Sequence, residues 1–150
     1  MTQIEGVTLA SRSDWTVLRP LLFESIGQTL EMVLVTMIVG GILGLVLGVV
    51  LYGTRPGNLF ENAVVYRILD VIVNIIRPIP FIIFLAAMQP LTIKVIGTSI
   101  GTAAAIFPMI IMCTMATSRL VEQNLVPVDS GVIEAARAMG ASKFLSLIHI

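Results

Sequence analysis

Four polar side chains recur on one side of an otherwise apolar predicted helix. Arg67, Asp70, Asn74 and Arg77 are spaced three, four and three residues apart, and residues with this spacing lie on one helix face. A charge at the centre of a bilayer costs about 2.5–3.5 kcal/mol on insertion scales, and such a side chain usually turns toward a bundle interior or a wet cavity. An arginine in that position could bind a carboxylate with its planar group of N–H donors. The pattern is typical of a path for a zwitterionic amino acid.

Two prolines follow this stripe directly, at Pro78 and Pro80. The residue before a proline is disfavoured in the helical conformation, and irregular backbone at membrane depth is tolerated only where protein or water covers it. Asn74, Arg77, Pro78 and Pro80 are therefore candidate substrate-pathway residues. A structural interpretation stays open, because an Arg77 about 9 Å into a span that starts at Val71 could reach back to the cytoplasmic surface.

A second candidate site lies in the polar segment after the last long apolar run. Pro127 should end the preceding helix, and Asp129 or Ser130 could cap the next one by accepting a backbone N–H. Gly140 suits the left-handed position that ends helices. The pattern predicts a short amphipathic helix near 130–139, too polar to cross a membrane, that either docks onto a water-soluble partner or is a plain surface helix. The candidate docking residues are Glu134, Ala135, Ala136, Met139 and Gly140.

Three apolar stretches are long enough to position these residues in a membrane. Met32–Tyr52 has 21 residues without a charge, close to the roughly 20 that cross the hydrocarbon layer. The second span lies within Ile68–Pro90 and contains the polar stripe. The third is Val95–Ser118, 24 uncharged residues in which Pro108 should kink the helix.

Glycines spaced by four predict a packing face on the first span. Gly40, Gly44 and Gly48 fall on one helix face, where small residues let a neighbouring helix approach closely. General tolerance of glycine in membrane helices is the alternative.

The N-terminal segment, residues 1–31, is predicted to contain an amphipathic helix outside the membrane. Its apolar residues recur every three or four positions, so the helix should either lie on the membrane surface with Trp15 at the interface or pack on the spans. With this end outside, five lysines and arginines fall inside and three outside, a weak bias toward that orientation. The inside residues are Arg55, Arg67, Arg119, Arg137 and Lys143, and the outside residues are Arg12, Arg19 and Lys94.

Composition agrees with a membrane protein and excludes several other classes. The apolar share is 57%, charged residues are 12% and mean hydropathy is +1.00, whereas soluble domains have about 25% charged residues. A net charge of zero gives no footprint for nucleic acid. The single cysteine, Cys113, cannot form an internal disulfide and is expected to pack. The sequence has no catalytic triad or metal-ligand cluster, so no cofactor and no metal are expected.

Several passages together resemble a known family. Glu134-Ala135-Ala136, three residues and then Gly140 resemble the signature loop of ABC-importer permeases, and passages 51–57, 77–83 and 95–101 resemble the methionine-uptake branch. The resemblance runs from about Gly27 to Phe144. It implies an all-α polytopic membrane helix bundle of the ABC type I importer permease kind, with three of a probable five spans present. In that family the loop, here 122–144, contains a cytoplasmic coupling helix that seats in a cleft of the ATP-hydrolysing subunit.

The same resemblance implies a permease subunit that moves methionine, L- or D-, across the bacterial cytoplasmic (inner) membrane. Its implied partners are an ABC ATPase subunit, a periplasmic or lipid-anchored substrate-binding protein, a second permease copy and membrane lipids. The sequence has no Gly-rich phosphate loop, so the chain is not expected to be an enzyme and a separate ATPase must supply energy. Two alternatives stay open: a permease for another amino acid or small solute, and a membrane scaffold protein whose loop binds some other soluble partner.

The end of the chain carries a separate expectation. Residues 145–150 also match the translated end of a common transposon-type sequencing adapter, so native sequence is expected to end near Phe144, and His149 is given no functional role. The alternative is a real amphipathic tail. The permease domain is then 32–150, with 145–150 as a possible non-native tail.

Overall fold

The computed structural model describes residues 15–58, 60–142 and 145–146, and these contain helices and turns but no strand. Of the possible tail, only Leu145 and Ser146 are described. The helices are α1 (Trp15–Val35), a π-helical segment (Thr36–Gly40), α2 (Gly41–Thr54), α3 (Ala63–Ile76), α4 (Phe81–Ile96), α5 (Thr102–Leu125) and α6 (Ser130–Ala138). The predicted all-α fold is confirmed.

Two helical stretches are long and apolar enough to cross a membrane. They are Leu18–Thr54, with 37 residues, and Thr102–Leu125, with 24 residues. A third span is present if α3 and α4, which are bent by 113° at a short break, count as one. The number of predicted spans agrees with this count, although the first stretch begins well before the predicted Met32.

The chain divides into two compact units, Met1–Leu34 and Val35–Ile150. In the first unit, residues 21–30 of α1 are exposed on every face of the helix, so exposure does not distinguish the predicted apolar stripe from the rest. This part of the helix falls within the candidate span that starts at Leu18.

The third predicted span, Val95–Ser118, is wrong at both ends. Gly97 takes a left-handed conformation that ends α4, with φ 87°, and Gly101 precedes α5 with φ 106°. Both backbone conformations suit glycine because it has no Cβ. At its other end α5 continues past Ser118 to Leu125 and includes two charged residues, Arg119 and Glu122. The uncharged run therefore combines a turn with the first two-thirds of a helix.

Helix α5 is the centre of the second unit and contacts the π-helical segment, α2, α3 and α4. The closest approach is to the glycine face of the first span. A Cβ on Gly40 would lie 2.8 Å from Cys113 Cβ, one on Gly44 would lie 2.5 Å from Thr117 Cβ, and one on Gly48 would lie 2.6 Å from the Ser118 carbonyl oxygen. No ordinary side chain fits at these distances, so the two helices pack with backbone against side chain.

Large apolar side chains remain exposed on every described helix of the second unit. Examples are Met37, Val46, Val64, Ile82, Leu120 and Val132. Exposed apolar side chains on every helix are typical of a protein covered by lipid or by other protein.

Candidate functional site

The helix break falls at the two prolines of the candidate pathway. Arg77 caps the end of α3, with its N–H donating to the Val73 carbonyl at 3.0 Å, and Pro80 precedes α4 with an extended ψ of 131°. Ile79 N–H donates to the Ile76 carbonyl at 3.1 Å. The chain thus makes one tight turn between α3 and α4, which explains the 113° bend. Whether these residues contact a substrate stays a prediction.

The four polar residues of the predicted stripe have different surroundings. Arg67, Asn74 and Arg77 are exposed, and neither arginine forms a salt bridge with another described residue. Asp70 is half-buried and accepts a hydrogen bond from Arg119 of α5. The structure therefore separates Asp70 from the others and leaves Asn74 and Arg77 open beside the break.

A polar cluster between α3 and α5 was not predicted. Arg119 Nη1 lies 2.9 Å from Asp70 Oδ1 and also donates to Glu122 Oε2, while the Tyr66 hydroxyl donates to Glu122 Oε1 at 3.4 Å. Glu122 is 3% exposed, and the Arg119 and Asp70 side chains are 20% and 26% exposed. A cavity of about 230 Å³ beside the cluster is also lined by Arg55. The sequence feature that could have indicated this cluster is the spacing of Tyr66 with Asp70 and of Arg119 with Glu122, since each pair lies on one helix face.

A second cavity lies between α4 and the start of α5. Its volume is about 500 Å³, and it is lined mainly by small and apolar side chains with Gln89, Thr92 and Ser99 among them. The Thr92 hydroxyl donates to the Met88 carbonyl of its own helix at 3.0 Å. Small-molecule sites are typically apolar cavities with a few polar groups, and this one begins on the helix that directly follows the break.

Helix α6 has the two ends that its sequence predicts. Asp129 Oδ1 accepts from Gly131 N–H at 2.8 Å and so caps the first turn. At the other end Gly140 has φ 89°, and Ala141 N–H donates to the Ala136 carbonyl at 3.0 Å, the long-range bond of a Schellman C-cap. Ser142 Oγ then accepts from Leu145 N–H at 3.2 Å, which starts another helical turn.

One face of α6 forms an open apolar groove of about 600 Å³. Of the candidate docking residues, Ala136, Met139 and Gly140 line it, whereas Glu134 and Ala135 are exposed outside it. Met139 is 84% exposed. The groove can accept an apolar surface from another molecule, and Glu134 lies on the same helix outside the lining. The groove is lined by Val128, Val132, Ile133, Ala136, Met139, Gly140, Ala141, Leu145 and Ser146.

The end of α2 and the start of α6 lie on the same side of the second unit. Tyr52, Arg55 and Pro56 share a cavity of about 290 Å³ with Val126 and Ile133. Among the described residues no group of three His, Cys, Asp or Glu side chains could hold a metal ion.

The family model for "Binding-protein-dependent transport system inner membrane component" matches residues 40–150. The chain belongs to this family. Its membrane location and the fold of an ABC-importer permease are thereby confirmed, and the match spans α2 to α6 together with the glycine face and the helix break.

Individual relatives give the same result. The "D-methionine transport system permease protein MetI" of Salmonella typhimurium is 48% identical over 122 residues, which cover 81% of this chain and 56% of the relative. The protein of the same name from Escherichia coli strain K12 is 47% identical over the same shares. The probable MetI of Vibrio cholerae is 41% identical over 131 residues, 87% of this chain and 58% of that protein.

Solved structures also match. Two inward-facing crystal forms of the MetNI methionine ABC transporter superimpose with TM-scores of 0.76 and 0.79, at 47% and 46% identity. The matches cover 81% and 83% of this chain and 56% and 58% of those chains. The chain thus spans a little over half the length of the relatives that it matches. The resemblance to the methionine-uptake branch of the family is confirmed.

Proposed function

We propose that this chain belongs to the permease subunit of an ATP-driven importer that moves methionine across the cytoplasmic membrane. The observation that carries the proposal is the capped amphipathic helix α6, which follows a membrane span after four residues and presents an open apolar groove. Similarity to MetI proteins named for D-methionine transport supports the substrate.

In this proposal, α6 is the docking element for the ATPase. Its backbone is fixed by caps at both ends, so the groove is pre-formed and loses little entropy when a partner binds. The groove receives an apolar surface of the ATPase, and Glu134 meets the polar rim of the cleft. The permease holds no nucleotide itself, and the ATPase supplies the energy.

The break between α3 and α4 supports a substrate path in the same chain. It places the exposed Arg77 guanidinium and Asn74 next to irregular backbone, and the lining of the α4–α5 cavity includes Ile82, two residues after Pro80. A methionine zwitterion offers a carboxylate for Arg77 and a thioether side chain for the apolar lining. Another amino acid or small solute is the second candidate, because Arg77 recognises a carboxylate rather than a side chain.

The remaining partners and the orientation follow from the same proposal. A second permease copy and lipids cover the exposed apolar faces, and a periplasmic or lipid-anchored binding protein delivers the substrate from outside. The shared cavity between the end of α2 and the start of α6 supports placing Arg55 and α6 on one side, which is the cytoplasmic side if the N-terminus is outside.

Uptake by reconstituted complex tests the proposed function. The complete permease and the ATPase, with the binding protein added outside, should accumulate labelled methionine in proteoliposomes that contain ATP. Uptake with ADP in place of ATP is the control for leakage. ATP-driven uptake of another solute, with none of L- or D-methionine, would refute the substrate, and no ATP-dependent uptake of any solute would favour the scaffold alternative.

A further inference from the structure

The polar cluster formed by Tyr66, Asp70, Arg119 and Glu122 joins two helices through one guanidinium. Arg119 binds a carboxylate on α3 and another on its own helix, and Glu122 uses its second oxygen for the Tyr66 hydroxyl of α3. Both Asp70 and Tyr66 therefore connect to α5 through a continuous set of hydrogen bonds. Charge-assisted bonds of this kind are short and directional, so the cluster fixes how α3 and α5 sit on each other.

The α5 residues of the cluster lie close to the connection between α5 and α6. Arg119 and Glu122 lie in the last two turns of α5, and only Val126–Asp129 separate that helix from α6. This connection is tight, since Val126 N–H donates to the Glu122 carbonyl at 3.1 Å and Val128 N–H donates to the Leu125 carbonyl at 3.2 Å. A displacement of α6 is thus passed to the end of α5 where the cluster lies.

The α3 residues of the cluster lie on the helix that ends at the break. Tyr66 and Asp70 occupy the first two turns of α3, which ends at Ile76 immediately before the turn into α4. A movement of α5 that carries Arg119 will pull Asp70, and with it α3, against the break. The other sides of α3 expose apolar side chains, and the helix forms no second ion pair with a described residue.

We propose that Arg119 is a positioning residue whose pairing with Asp70 and Glu122 transmits the movement of the docked α6 to the broken span. This rests on the proposed function, since it requires α6 to be moved by the ATPase. The cluster does not touch substrate or nucleotide. The pairing determines how much of the movement driven by each ATP hydrolysis is transmitted to the α3–α4 break.

The test is the ratio of methionine transported to ATP hydrolysed, measured for assembled complex in proteoliposomes. Asp70→Ala removes the ion pair between α3 and Arg119 and leaves the Arg119–Glu122 pair and the longer Tyr66–Glu122 hydrogen bond in place, so the complex should still assemble. Its ratio should fall by about fivefold or more, the lower end of usual coupling effects, while ATP hydrolysis continues. Val71→Ala is the matched control, because it shortens an exposed side chain next to Asp70 on the same helix and should leave the ratio unchanged.

A second readout does not depend on the substrate. In a Cys113→Ser background, the maleimide labelling rate of an Ile82→Cys probe on α4 should change with ATP in the parent complex and lose that change with Asp70→Ala. An unchanged ratio and an unchanged ATP response in assembled Asp70→Ala complex would overturn the proposal. Loss of assembly in both Asp70→Ala and the milder Asp70→Asn would also overturn it, because the cluster would then serve folding alone. A parent complex that shows the labelling response but no methionine uptake would refute the proposed substrate, and the labelling of the probe would still test the role of Arg119.

Discussion

Replacing Gly44 with alanine should destabilise the permease, although alanine is the better helix former. The added Cβ would lie 2.5 Å from Thr117 Cβ and 3.0 Å from the Thr114 carbonyl oxygen, so α2 and α5 must separate. Overpacking of this kind costs about 1–3 kcal/mol. The matched control is Gly41→Ala on the same helix, where nothing lies within 4 Å of the new Cβ and a gain of up to about 1 kcal/mol is expected. The gain in helix propensity applies to both variants, so they should differ by the overpacking cost, about 1–3 kcal/mol.

The difference can be measured as the SDS fraction that unfolds each purified variant in mixed micelles, followed by circular dichroism. Thr117→Gly should partly restore Gly44→Ala, because it removes the nearest atom, whereas Thr117→Ala keeps that Cβ and should not. Equal stability of Gly44→Ala and Gly41→Ala would refute the close approach of the glycine face to α5.

Five further variants, at four residues, test other parts of the structure. Gly140→Arg should lower the ATPase stimulation of assembled complex while membrane insertion continues, because a side chain is strained at φ 89° and tilts the turn that follows. Glu134→Lys should also lower the stimulation, because it reverses an exposed charge on α6. Arg77→Ala should reduce uptake per assembled complex if Arg77 lines the path. Arg77→Lys should also lose much of the uptake, because the planar donor group is gone. Full uptake by Arg77→Ala would leave only a structural role for Arg77. Arg119→Met should destabilise the fold by about 3–5 kcal/mol, since the buried Glu122 carboxylate loses its cation, and an SDS titration equal to that of the parent would show that Glu122 is not held by this pair.

Local signals explain which elements could be predicted. The bounds of α6, Ser130–Ala138, agree with the predicted 130–139 because a capping aspartate and a terminal glycine act within one or two turns. The break at Pro78 and Pro80 has a similarly local cause. These features need no knowledge of the rest of the fold.

The errors come from features that act across the chain or that hydropathy does not detect. The third span was predicted to start at Val95 because Gly97 and Gly101 belong to one uncharged run. Their backbone conformations nevertheless make a turn there. The cluster around Arg119 was missed because its pairing with Asp70 joins residues 49 positions apart. Only the packing of α3 on α5 brings those two charges together.

Docking of α6 onto the ATPase is the claim on which the function rests, and paired arginine substitutions test it most directly. Met139→Arg puts a charge into the apolar groove, whereas Ala138→Arg puts the same charge on an exposed position outside its lining. In proteoliposomes with matched amounts of inserted permease, Met139→Arg should abolish ATP-driven methionine uptake and co-purification of the ATPase, and Ala138→Arg should retain both. Normal uptake and normal co-purification with Met139→Arg would contradict the account.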